Sequence, residues 1–222
     1  YHTTMIADIV ILDPSLTTGL PAKITAATGM DALSHAIESY VSLNASPLTE
    51  MYGLKAIELI NQSLKDACQN PGDLEARGNM MLGSYLGGLA ITAGIGIAHI
   101  MAQPLGAMYK IPHGDACSIF LPGSMELNLD YAESRSANVA KALGVPKAGC
   151  TDRENALNAI RRVREIRREI NAPVSLAPYI TETPDMDFII ETVKKTTGHI
   201  TCNPCPLTEQ LMRDAFEKAM AE

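Results

Sequence analysis

Five histidines occur in the chain, and three of them, His35, His99 and His113, sit in apolar, helix-patterned surroundings. An unpaired imidazole is costly in such a place. Asp31 precedes His35 by four residues, so a carboxylate and an imidazole share one face of one helical turn. His99 follows a Gly94/Gly96 break, and His113 follows Pro112 at a helix start. One carboxylate and three imidazoles, with no thiolate among them, make a donor set for Fe(II) or Zn(II) and accept Mn(II) or Co(II). A divalent cation held by one carboxylate keeps net positive charge and room for a further oxygen ligand. It then acts as a Lewis acid. Spacing alone leaves other readings open: a hydrogen-bonded structural Asp/His cluster in a helical metal-binding or interaction module, or a metal-dependent hydrolase that activates water. His2, at the ragged start, and His199, in the polar 196–201 segment, join neither pattern.

The elements that must position these residues are helical. Met30, Leu33, Ile37, Tyr40 and Val41 follow helical spacing in a first helix over about 24–43. A second is expected from Pro47 to Cys68, and a third starts after Asp73 as its cap. Further helices carry His99 with Gln103, run from His113 to about Asn128, and cover about 131–143, 152–170, 185–195 and 208–221. The Arg- and Glu-rich Arg161–Arg168 region reads as a solvated helix face. One β-branched apolar run, Ile6–Leu12, predicts a strand. A lone strand leaves backbone groups unpaired, so it must pair outside the helical part. The expected architecture is an all-α helical bundle preceded by one orphan N-terminal strand.

The chain has 222 residues, 46% hydrophobic and 19% charged, with Lys+Arg 18 against Asp+Glu 25 and a net charge of −7. This is globular composition, without the basic surplus a general nucleic-acid binder needs. Five cysteines, an odd and sparse set, argue for reduced thiols in the cytoplasm. Cys202-Asn-Pro-Cys205 stands alone and reads as a turn. Residues 78–109 lack any Asp, Glu, Lys or Arg. Seven glycines and the polar His99 and Gln103 make this stretch a buried, broken helix pair rather than a membrane span.

Two longer motifs carry a resemblance. Ile11–Pro21 followed by Ala26–Glu38, and Gly94–Gly106 followed by Ile111-Pro-His113-Gly114, are similar to the two signatures of the iron-containing (group III) alcohol dehydrogenases. The likeness continues through Leu121-Pro122 to Asn203-Pro204 and covers only the C-terminal, helical half of such an enzyme, with the dehydroquinate synthase-like bundle fold. It implies that Asp31, His35, His99 and His113 bind a catalytic Fe²⁺, zinc also fitting the ligands. It implies too that the metal binds the oxygen of a small alcohol or aldehyde substrate while hydride passes to or from NAD(P). Leu16 matches a position packed against the cofactor. Gln103 stands where many relatives carry a second histidine facing the substrate, and an amide binds a substrate without relaying a proton. Cys117 stands where asparagine is common, and Cys205 where arginine commonly follows Asn-Pro.

No strand, Gly-rich turn and helix unit for a dinucleotide pyrophosphate is found. With the non-Met start at Tyr1, this leads to the expectation that residues 1–20 are the residual strand and crossover from an N-terminal α/β nucleotide-binding domain. Residues 21–222 are then one all-helical metal-binding domain, little active as a dehydrogenase alone and assembled as a homo-oligomer.

Overall fold

The computed structural model describes residues 7–195 and 201–221, so His2 and His199 lie outside the described residues. A single 3-10 turn, Pro14–Thr17, is followed by α1 (Ala22–Val41), α2 (Pro47–Gln69), α3 (Leu74–Ala90), α4 (Ile97–Tyr109), α5 (His113–Leu127), α6 (Glu133–Ala142), α7 (Asp152–Glu169), α8 (Met186–Lys195) and α9 (Glu209–Ala221). A short 3-10 turn, Ile91–Ala93, links α3 to the α4 break. Boundaries differ from the sequence expectations by at most two residues.

The helix starts follow from their caps. Ser46 and Thr49 form a reciprocal capping box on α2, Asp73 accepts the Ala76 N–H on α3, and Thr151 and Glu154 cap α7. Each satisfies backbone N–H groups that the helix leaves without partners.

Helix α1 runs through the middle of the bundle and packs on α2, α3, α4, α5 and α6. Its Met30, Leu33 and Ile37 are buried in one core cluster with Ile57, Ile60 and Leu64 of α2 and Ile97, Ile100 and Met101 of α4. Buried Arg77 of α3 ties down the α1 entry, donating to Thr25 Oγ1 and to the Leu20 and Pro71 carbonyls. Helices α6–α9 close the side away from α3.

Two expectations are corrected. Residues 7–13 form no strand, and no strand exists among the described residues. Ile9 and Ile11 are 80% and 84% exposed, and no second extended segment among the described residues pairs with them. Residue 6, where the expected strand began, is outside the described residues. In α7, Arg161, Glu165 and Arg168 are solvated as expected, but Arg167 turns inward, is buried, and donates to the Ser118 and Ile119 carbonyls.

The uncharged stretch forms α3 and α4, bent by 102° at the Gly94 break. No single described helix is long and apolar enough to cross a membrane. Residues 97–102 of α4 are buried in the bundle. The bend brings the N-terminus of α4, with His99 in its first turn, against the middle of α1.

Candidate metal centre

Three helices supply the site. On α1, Asp31 and His35 lie one turn apart, with His35 Nδ1 4.0 Å from Asp31 Oδ2. From α4, His99 Nε2 comes within 3.3 Å of Asp31 Oδ1, and from α5, His113 Nε2 comes within 3.5 Å of the same oxygen. Cys117, one turn after His113, places Sγ 3.6 Å from His113 Nε2. One donor atom each from Asp31, His99, His113 and Cys117 all lie within 4.8 Å of one another. The His35 ring stacks on that of His99 at 4.3 Å, and His35 is not among those four.

Glycine allows the approach of α5 to α1. A Cβ on Gly114 would run into the Ala27 carbonyl of α1, so only glycine beside His113 lets the two backbones meet. A Cβ on Gly96 would likewise strike Glu38 and Asn203. That space is filled by the Glu38 carboxylate, buried among donors. It accepts from the N–H groups of Gly96 (2.9 Å), Ala98 (2.7 Å) and His99 (3.4 Å), from Ser124 Oγ (3.0 Å), and pairs with His99 Nδ1 at 2.8 Å. An anion at the N-terminus of α4 is favoured by its free N–H groups and dipole. With Nδ1 engaged by Glu38, His99 turns Nε2 toward Asp31.

The electrostatics fit a cation. Asp31 Oδ1 and His99 Nε2 are buried and have no well-formed hydrogen bond. Burial opposes ionisation of Asp31 and Glu38, but His99 between them, with backbone donors on Glu38, lowers the pKa of both carboxyls. Burial also opposes charge on His99, yet contacts with Asp31, Cys117 and Glu38 push it up to about 12. His35 is pushed down to about 4 by burial and by His99 beside it. Burial raises the Cys117 thiol to about 11. The two carboxylates thus favour a positive charge on His99 between them. A divalent ion at Nε2 replaces that positive charge, because a ligating nitrogen must be unprotonated.

The site opens onto a cleft of about 320 Å³ lined in part by Ile24, Thr28, Asp31, His113 and Gly114. A second cavity of about 350 Å³ lies on the other side of Thr28, between α1, α3 and the first 3-10 turn. It holds none of the donor residues.

Of the residues singled out from sequence, Asp31, His99 and His113 converge, and His35 stacks at their edge. Gln103 is exposed one turn beyond His99 on α4. Leu16 is 80% exposed on the first 3-10 turn and outside the cluster. Cys202 and Cys205 are buried in a turn without a disulfide, as the sequence suggested. Asn203 exchanges side-chain hydrogen bonds with Asn128 at 2.9 and 3.1 Å, so the Asn-Pro motif fastens the C-terminal turn over the α4 N-terminus and the end of α5. Sequence reading gave no role to Glu38 and set Cys117 aside. Helical spacing held the signal: Glu38 follows His35 by three residues, and Cys117 follows His113 by four.

Comparison with known proteins shows the family of the chain. Residues 25–220 match the family model described as Fe-containing alcohol dehydrogenase family, C-terminal. The chain is 34% identical over 221 residues to the long-chain-alcohol dehydrogenase 1 of Geobacillus thermodenitrificans, covering 99% of the chain and 56% of that protein. It is 36% identical over 210 residues to the 1,3-propanediol dehydrogenase of Klebsiella pneumoniae, covering 94% of the chain and 54% of that enzyme. The solved structure of a 1,3-propanediol oxidoreductase superposes with a TM-score of 0.90 at 35% identity, covering 94% of this chain and 55% of that one. The chain therefore spans about half the length of the curated relatives it matches.

Proposed function

Since the chain belongs to the Fe-containing alcohol dehydrogenase family, we propose that it is the metal-binding helical domain of an enzyme that interconverts a small alcohol and its aldehyde or ketone with NAD(P). The observation that carries this reading is the convergence of Asp31 Oδ1, His99 Nε2 and His113 Nε2 from three helices, the first two buried without a well-formed hydrogen bond. Iron is the metal the family's description gives, and zinc is chemically acceptable to the same donors.

Asp31, His35, His99 and His113 are the proposed ligands that would hold the ion. A divalent cation held there supplies Lewis acidity toward the substrate oxygen. The chain's own residues do the rest. Glu38 holds the proton on His99 Nδ1 and so keeps the Nε2 lone pair directed at the site. Asp31 offsets part of the cation's charge, which limits how tightly a further oxygen is held. His113, 45% exposed in its side chain, faces the cleft through which a small substrate enters. Gln103 binds or orients the substrate as an amide and transfers no proton. Leu16 offers an apolar side chain to the cofactor.

Residues 1–20 are proposed to connect to an α/β nucleotide-binding half and 21–222 to form the helical domain. Coverage of 54–56% of the relatives supports that division. The expected assembly is a homo-oligomer. Five cysteines, an odd and sparse set, support a reducing, cytoplasmic location, and a net charge of −7 supports the absence of nucleic-acid partners.

The test is an anaerobic Fe²⁺ and Zn²⁺ titration of the chain and of H113A. It is paired with alcohol-dependent NAD(P)H formation in a polypeptide joining this domain to a nucleotide-binding half. Saturable metal binding that H113A loses, with turnover only in the joined form, supports the reading. Metal-independent turnover, or metal-dependent phosphatase or amidase turnover without nicotinamide, overturns it.

A further inference from the structure

We propose that Cys117 Sγ is itself a ligand of the metal, so that this chain binds its cation through a thiolate as well as through Asp31, His99 and His113. The inference rests on the metal-site reading above and concerns a residue that the sequence resemblance leaves outside the ligand set.

Helix geometry brings the sulfur in. His113 and Cys117 lie four residues apart on α5, on one face one turn apart. Their Nε2 and Sγ atoms are 3.6 Å apart. Cys117 has no exposed surface, so its sulfur faces the inside of the bundle where α1, α4 and α5 meet. A buried cysteine serving only as a small apolar filler needs no polar neighbours. This one has Asp31, His99 and His113 donor atoms all within 4.8 Å. Independently of the cysteine, His99 is 1% exposed and aims an Nε2 without a well-formed hydrogen bond into the same space. Oxygen, nitrogen and sulfur donors of these kinds are ones that zinc and cobalt accept. His35 lies outside this tight group, stacked on His99.

Coordination replaces the S–H bond by a metal–sulfur bond and releases the proton to solvent, with no change of oxidation state. Thiolate is a softer donor than the asparagine amide common at this position, and it moves the site's preference toward zinc. Selectivity is then set on α5, while the α1 and α4 donors remain the general cation-binding frame.

Cobalt(II) titration of the full chain, followed by absorption spectroscopy, separates this proposal from the reading beneath it. Visible d–d bands report cobalt at the Asp/His donors, and a near-ultraviolet charge-transfer band reports a cobalt–thiolate bond. The expected result is both bands in the unaltered chain and in C150S, with the charge-transfer band lost and the d–d bands kept in C117S and C117N. Competition with a chromophoric chelator should show zinc affinity reduced at least about 10-fold in both Cys117 variants, no less than the loss of an outer-shell partner causes. The d–d bands without a charge-transfer band in the unaltered chain overturn the proposal while leaving the metal site standing. So does a charge-transfer band that survives in C117S and C117N. Failure of cobalt to give any d–d band overturns the metal-site reading and this proposal together. If one Cys117 variant does not fold, the spectrum of the other still shows whether the band belongs to Cys117.

Discussion

The Glu38 carboxylate lies 2.8 Å from His99 Nδ1 and at the same time accepts the N–H groups of Gly96 and Ala98 at 2.9 and 2.7 Å. One buried side chain therefore fixes both the start of α4 and the direction in which its histidine points. Removing it leaves a buried imidazole and several backbone donors without an acceptor. E38A is expected to lose about 3–5 kcal/mol of stability, the cost of breaking a buried pair. E38Q, which keeps an acceptor oxygen, should lose less. In folded E38Q, metal affinity should fall about 10- to 100-fold as the orientation of His99 relaxes. Urea denaturation and chelator competition measure the two effects separately, and unchanged affinity in E38Q would remove Glu38 from the positioning role.

His113 differs from Glu38 in being exposed at the cleft. H113A should therefore change stability by no more than about 0.5 kcal/mol, while metal affinity collapses. A variant that loses its fold instead would favour a structural cluster over a catalytic one. Circular dichroism during the same metal titration distinguishes the outcomes.

Gly114 and Gly123 are both on α5 but meet different surroundings. G114A pushes a methyl group into the Ala27 carbonyl and is expected to cost about 1–3 kcal/mol. It should also weaken metal binding, because His113 moves with the displaced helix. Nothing lies within 4 Å of a Cβ at Gly123. G123A should therefore stabilise the protein by about 0.5–1 kcal/mol through reduced unfolded-state entropy and better helix propensity. Thermal or urea unfolding of the pair gives opposite signs if the close approach of α1 and α5 is the cause.

Tyr179 donates its hydroxyl to Asp115 Oδ2 at 2.9 Å. Burial, then the hydrogen bond and charge of Asp115, raise the phenol from 10 to about 12. A raised pKa means the folded protein holds this proton more tightly than the unfolded chain. Its stabilising contribution is fully present below pH 10 and is lost as the pH rises from 10 through about 12. Y179F should be less stable at neutral pH, since it leaves a buried carboxylate short of a donor. The stability difference between Y179F and the unaltered chain should shrink across that alkaline window. Urea midpoints at a series of pH values measure it, and a constant difference would show that the hydrogen bond contributes nothing pH-dependent.

The sequence by itself determined the helices, because their signals are local. Apolar spacing along α1 and the caps at Ser46, Asp73 and Thr151 act within a few residues. Pairing Asp31 with His35 is equally local, being one turn of one helix. Extended pairing is different: residues 7–13 have strand-forming side chains but no partner among the described residues, so propensity alone produced no strand. Periodicity marks Arg167 as part of a charged run, yet carbonyls of α5, distant in sequence, draw it inside.

What only the tertiary structure decided is how α1, α4 and α5 cross. That crossing places His99 and His113 on the same oxygen of Asp31, encloses Glu38 behind His99, and sets Cys117 rather than His35 in the tightest group of donors. Side-chain type and spacing along one helix restrict a residue to a face. Which faces meet depends on contacts between residues tens of positions apart, among them the bare backbone at Gly114 against Ala27.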